Sequence, residues 1–204
     1  MKTLPACLLC GFLAAAPAAA ADWSVSVGYG SGRLDAGQIS RPALLPKDAA
    51  GHVGVVRLSL GYDFSPTFGL EGSYLNFSES TTMLAVDPNV TTLVAPNTRF
   101  RCKAQALAFG PVVTWLPAED WRIRIGAGVV ISDLTESFDG GGEGAQIYKT
   151  NTNPGWYGSI EGSYALAKQL SVGASLRYLD FNRKTFSSSS LTALDVEVFL
   201  AVHF

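Results

Sequence analysis

Leu194-Asp-Val-Glu-Val-Phe-Leu-Ala-Val-His-Phe204 closes the chain, and its reading decides the fold. Every second residue, Val196, Val198, Leu200, Val202 and Phe204, is apolar, and between them stand Asp195, Glu197, Phe199, Ala201 and His203. Strict alternation predicts a β-strand with one face toward an apolar medium and the other toward a polar one. Such a strand needs partners that alternate in the same way.

Seven further segments do. Trp23–Gly30 sets Trp23, Val25, Val27 and Tyr29 against Ser24, Ser26, Gly28 and Gly30. Val53–Phe64 sets Val56, Leu58, Leu60, Tyr62 and Phe64 against Val55, Arg57, Ser59, Gly61 and Asp63. After Ser65-Pro66-Thr67, a third strand is expected over Phe68–Ser78, a fourth over Arg99–Leu116 and, past Pro117–Asp120, a fifth over Trp121–Ser132. Trp156–Leu166 and Leu170–Phe181 flank a minimal turn at Ala167–Gln169. Ser31–His52, Glu79–Thr98, Asp133–Pro154 and Asn182–Thr192 lack a sustained period and are expected as loops. Eight strands thus alternate between three short turns and four long loops.

Two places disturb the pattern. Leu75 and Phe77 stand on the parity of the polar face, which means either a bulge or an apolar upper interior. Arg101 and Lys103 share the parity of the apolar face, which is tolerable only if that end projects beyond the hydrocarbon.

With 204 residues the chain is expected to form one domain, and a net charge of −2 gives no basic field for nucleic acid. Lys2, the apolar run Leu4–Ala16 and the small residues Pro17–Ala21 read as a secretory signal peptide over residues 1–21, cut after Ala20 or Ala21. Cys10 follows Leu9 and Cys7 comes too early, so lipidation is not expected. Cleavage would remove both and leave Cys102 with no disulfide partner in the mature domain, residues 22–204.

A soluble sandwich would bury its large apolar face. Here the opposing set consists mainly of Gly, Ser and Ala with a few charges, which suits a narrow filled interior. Export, an even strand count, and Trp and Tyr near strand ends predict an all-β, eight-stranded antiparallel up-and-down transmembrane barrel. Arg57, Asp63, Glu71, Arg122, Arg124, Glu161, Arg177, Asp195 and Glu197 all carry inward parity. Eight strands leave only enough width for side chains to fill the lumen, so these charges should pair across it. Arg57, Glu71, Arg124, Glu161, Arg177 and Glu197 are the candidate lumen ion-pair residues, with Arg177–Glu197 the first-choice pair on adjacent strands.

The bland consequence is a plug of ion pairs; the sharper one is a gated polar path. Val55, Leu75, Phe77 and Leu179 hint at an apolar upper lumen. For catalysis, His52 is expected at the outer end of its strand and His203 inside the opposite end, too far apart to share a site. No catalytic, cofactor-binding or metal-ligand set is expected.

The alternating end with a terminal aromatic residue (Val196, Val198, Leu200, Val202, Phe204) resembles the signal read by the barrel-assembly machinery of outer membranes. Gly155-Trp-Tyr-Gly158 with Leu170–Phe181 resembles the late hairpin of OmpA-like small barrels, and Gly69–Tyr74 is similar to their earlier strands. An OmpW-like barrel is the runner-up, and it would imply passage of hydrophobic solutes through an apolar upper lumen. The resemblance implies a bacterial outer-membrane location and contact with outer-membrane lipid and lipopolysaccharide. It also implies a role in envelope integrity and surface interaction through loops whose partner the sequence does not name. The periplasmic peptidoglycan-binding domain of longer OmpA-type proteins has no counterpart in the sequence, so cell-wall tethering is not implied. A narrow channel or carrier is the alternative. A lipid A acyl-modifying enzyme, imitated by His52 with a loop Ser, comes third.

Overall fold

The computed structural model describes residues 22–39, 47–84, 98–139, 146–149, 153–184 and 190–204. The expected signal peptide, residues 1–21, lies outside them, as do residues 140–145 within the expected loop Asp133–Pro154.

Ten strands form one antiparallel sheet: β1 (Asp22–Ile39), β2 (Lys47–Asp63), β3 (Phe68–Phe77), β4 (Ser80–Leu84), β5 (Thr98–Ala118), β6 (Trp121–Asp139), β7 (Gln146–Lys149), β8 (Asn153–Ala167), β9 (Leu170–Lys184) and β10 (Ser190–His203). Both β3 and β4 pair with β5, and both β7 and β8 pair with β6. The ten segments therefore make eight walls, with β4 continuing the third and β7 opening the sixth. Pairing of β5 with β6 and of β1 with β10 closes the ring. Across that last seam, Ser24 faces His203 and Asp35 faces Thr192, and Phe204 N–H donates to Trp23 O at 2.9 Å.

The lipid-facing set is continuous. Leu194, Val196, Val198, Leu200, Val202 and Phe204 are 37–64% exposed. At about 3.3 Å per residue and a tilt of about 40°, they span about 25 Å, the height of a barrel's lipid-facing band. Aromatic pairs Trp23–Tyr62 and Trp121–Tyr164 mark the short-turn end of that band, and Trp156–Tyr178 lies toward the other end. No helix among the described residues is long and apolar enough to cross a membrane; the crossing belongs to the strands.

The expected loops prove too long. β1 runs to Ile39 and β2 starts at Lys47, inside Ser31–His52; β4 lies inside Glu79–Thr98; β6 reaches Asp139; β9 reaches Lys184. The physical reason is an inversion of the pattern. Within the band, large apolar residues point out. Beyond it, Arg33, Arg99, Lys103 and Asp133 are exposed while Leu34, Val53, Phe100, Leu134 and Leu191 are at most 3% exposed and point in. The alternation continues with its sense reversed, because the outer medium has changed from lipid to water.

Leu75 and Phe77 sit at that reversal. β3 keeps its register through both, opposite Arg57 and Val55, and both are fully buried. The apolar upper interior is therefore the explanation. The irregularity comes one step later, at Ser78 and Glu79, both exposed, before Ser80 turns in again.

Closure at the β1–β10 seam supplies one prediction. Deleting Phe204 should lower the folded fraction, read as the heat-modifiable band on gels after refolding into lipid vesicles. An unchanged folded fraction would mean that the seam closes without its last outward residue.

Candidate functional site in the barrel lumen

Six walls each send one candidate side chain inward: Arg57 from β2, Glu71 from β3, Arg124 from β6, Glu161 from β8, Arg177 from β9 and Glu197 from β10. The other two walls leave space. β5 presents Ala104, Ala106 and Ala108, all buried, and β1 presents Gly28. A Cβ built on Gly28 would come within 3.0 Å of Glu197 Oε2 and 3.3 Å of Arg57 Nε. Glycine there makes room for the ion pair beside it.

Arg57 is the hub. Its Nε donates to Glu197 Oε2 at 2.6 Å, and Nη1 donates to Glu161 Oε1 at 2.8 Å and to Ser59 Oγ at 3.0 Å. Glu71 Oε1 lies 3.6 Å from the same Nη1. Arg177 Nη2 reaches Glu71 and Glu161, each at 3.4 Å. Arg124 bridges Glu71 at 3.2 Å and Asp63 at 3.3 Å, and Arg122 approaches Asp63 at 3.6 Å. Serines add to two of the carboxylates: Ser73 donates to Glu71 at 2.9 Å and Ser175 to Glu197 Oε2 at 3.2 Å. Two rings lie against the cations, Phe199 with its centroid 5.1 Å from Arg57 Cζ and Tyr157 5.9 Å from Arg177 Cζ.

All six candidates thus belong to one network, but the first-choice partners differ from those expected. Glu197 is held by Arg57, and no Arg177–Glu197 pair occurs among the described residues. Register explains the difference, since Asp195, not Glu197, stands opposite Arg177. The partners of Arg57 and Arg177 come largely from across the lumen. Sequence parity identifies the inward face but not which side chains meet over it. Phe199, Tyr157 and the serines are members that charge alone does not reveal; their inward parity at the same height is the signal.

Asp195 stands apart. It is fully buried, and neither carboxylate oxygen has a hydrogen-bond partner. With it and the buried Glu136 of β6, six lumen carboxylates among the described residues (Asp63, Glu71, Glu136, Glu161, Asp195, Glu197) face four guanidiniums (Arg57, Arg122, Arg124, Arg177).

Above the network the lumen is mostly apolar, with Glu136, Ser132 and Ser80 the buried polar side chains among the described residues there. Leu34, Val53, Val55, Leu75, Phe77, Phe100, Cys102, Leu134, Leu179, Phe181 and Leu191 form one buried cluster, with Phe77 and Phe181 edge to face at 6.3 Å between centroids. Below the network, a cavity of about 20 Å³ lined by Ser24, Ser171, Arg122, Arg124 and His203 opens toward the short-turn end. That is room for about one ordered water. His203 Nε2 and Ser171 Oγ share a hydrogen bond of 2.9 Å there. His52 is exposed near the other end, opposite Arg33.

A closed eight-walled barrel with an outward apolar band and a charged, filled interior has known counterparts. The family model described as outer membrane protein beta-barrel domain matches residues 6–204. The chain belongs to this outer-membrane β-barrel family. Its place is therefore the bacterial outer membrane. Among solved barrels, Neisserial surface protein A is similar at 15% identity, with 90% of this chain and 99% of that one covered and a TM-score of 0.58. A major outer membrane protein of Thermus thermophilus gives 13%, 91%, 100% and 0.56. The attachment invasion locus protein of Yersinia pestis, solved with the heparin analogue sucrose octasulfate, gives 12%, 91%, 100% and 0.53. These identities establish the shared fold. No curated protein sequence matches the chain.

The network makes graded predictions for unfolding in denaturant from lipid vesicles. Arg57→Met, which strands Glu197 and leaves Glu161 only the longer contact to Arg177, should cost about 3–5 kcal/mol. Glu197→Gln, which leaves Arg57 its contacts to Glu161 and Glu71, should cost about 1.5–3 kcal/mol. Asp195→Asn should stabilise by about 1–2 kcal/mol, because it removes a buried carboxylate with no hydrogen-bond partner. Destabilisation by Asp195→Asn would show that this carboxylate holds part of the network together.

Proposed function

We propose that this protein is a sealed, non-conducting barrel whose strands serve envelope integrity and whose outer loops carry surface interactions. The two-layer filling of the lumen supports this reading. An ion entering from the short-turn end would meet a network in which each guanidinium is already engaged by a carboxylate. It would then face a layer dominated by Phe77, Phe181, Leu134 and Leu34, where Glu136, Ser132 and Ser80 are the few described buried polar side chains and too little replaces its water, which is unfavourable. Eight strands exclude a wide pore.

Residues 1–21 are proposed to be a cleaved signal peptide, with residues 22–204 as the mature barrel. Val196, Val198, Leu200, Val202 and Phe204 are proposed as the strand read by the barrel-assembly machinery. Outer-membrane lipid and lipopolysaccharide are the expected surroundings. An adhesion- or invasion-related neighbour fits a partner-binding role for the loops, because loops on a rigid scaffold carry specificity. No catalytic role is proposed.

A second reading draws on the same apolar layer, which is what a passage for small hydrophobic solutes would also present. Planar-bilayer recording separates sealed from open. The purified protein should be electrically silent, and Glu197→Gln or Arg177→Met should stay silent because the apolar layer remains. Reproducible wild-type conductance altered by either substitution would refute the sealed lumen.

A further inference from the structure

Three walls of the lumen share one ring. Toward the short-turn end, the inner face of β10 runs Asp195, Glu197, Phe199, Ala201 and His203, so a phenyl ring stands between two carboxylates and the wall of the lower cavity. In register, Glu197 has Gly30 and Ser175 beside it, Phe199 has Gly28 and Gly173, and Ala201 has Ser26 and Ser171. The middle row therefore holds a single side chain across three adjacent walls. Above it lies the ionic layer, and below it Ser26, Ala201 and Ser171 line the cavity that opens toward the short-turn end.

The ring is positioned from two sides. Arg57 Cζ lies 5.1 Å from its centroid, a cation–π contact, while Nε of the same guanidinium donates to Glu197 Oε2 at 2.6 Å. On the β9 side the ring covers the backbone of Gly173, where an added Cβ would come within 2.5 Å of Cζ and 2.9 Å of Cε1. Glycine at 173 thus makes room for the ring, as glycine at 28 makes room for the ion pair above it. Glu71 and Glu161 line the cavity, but Arg57, Arg177 and Glu197 do not.

We propose that Phe199 is a lid between a wetted vestibule at the short-turn end and a dry Arg57–Glu197 pair. Water entering the vestibule reaches the hydroxyls of Ser26 and Ser171 and the lower carboxylates Glu71 and Glu161. On the β1, β10 and β9 walls it stops at the ring. The attraction within a charge pair falls as the surrounding dielectric rises, so the lid keeps the shortest ion pair of the lumen in the medium where it is strongest.

The lid deepens the sealed-lumen reading and is tested separately from it. The reporter is a single thiol in a full barrel carrying Cys102→Ala, in detergent micelles, placed above the ring as Ser175→Cys or below it as Ser171→Cys. Silver ion, thiol-reactive and close to water in size, is the probe, and thiols left free are alkylated after unfolding and counted by peptide mass. With Phe199 in place, Ser175→Cys should react at least about tenfold more slowly than Ser171→Cys, and adding Phe199→Ala should bring the two rates within about twofold. Heat-modifiable mobility shows that each variant is folded; if Phe199→Ala is not, Phe199→Val must give the same gain. Equal rates with the ring in place, or lasting protection of Ser175→Cys without it, would overturn the lid. Equal rates in an electrically silent barrel overturn the lid alone, whereas a conducting barrel that still protects Ser175→Cys overturns the sealed lumen alone.

Discussion

A backbone inside hydrocarbon cannot leave an N–H or C=O unpaired, and every other feature of this molecule follows from that constraint. A sheet satisfies it only by closing on itself. The β1–β10 seam, from Ser24 opposite His203 to Asp35 opposite Thr192, is where the closure occurs. Closing eight walls fixes a narrow radius, the radius forces side chains to fill the lumen, and the filling decides what can pass.

The membrane-embedded part of this fold was legible in the sequence because lipid imposes one rule on every strand. Trp121–Ser132 and Leu194–Phe204 alternate cleanly, and their outward residues are those expected. The upper barrel was not legible in the same way. There the outside is water and the inside is a mostly apolar core, so Leu34, Phe100 and Leu134 occupy the parity that lower down belongs to Ser, Gly and Arg. A reader expecting one sense of alternation sees Leu75 and Phe77 as errors and Ser31–His52 as a loop. Residues 31–39 and 47–52, and the stretch holding Leu75 and Phe77, are strand that crosses from one solvent to another.

The lumen shows a second limit. Alternation placed Arg57, Glu71, Arg124, Glu161, Arg177 and Glu197 on the inner face, because only an inner face can hold so many charges within a lipid-facing strand. Their partners depend on strand tilt and on the curvature of the wall, which no single strand encodes. Arg57 on β2 therefore meets Glu161 on β8 and Glu197 on β10, whereas the neighbour-strand logic behind an Arg177–Glu197 pair fails. The ionic layer and the apolar layer also differ in kind. Ion pairs in a dry interior contribute little net stability relative to apolar packing, but they are costly to break singly. In the proposed sealed barrel the mostly apolar layer gives stability and would keep water out, while the ionic layer fixes the interior geometry.

The account depends most on that upper layer being dry. Cys102 provides a probe inside it, on β5 at 3% exposure. A small, charged thiosulfonate reagent added to the folded protein in vesicles should leave Cys102 unmodified over hours, as judged by peptide mass, and should modify it rapidly after thermal unfolding. Rapid modification of Cys102 in the folded barrel would mean that water reaches the layer and that the lumen is not sealed.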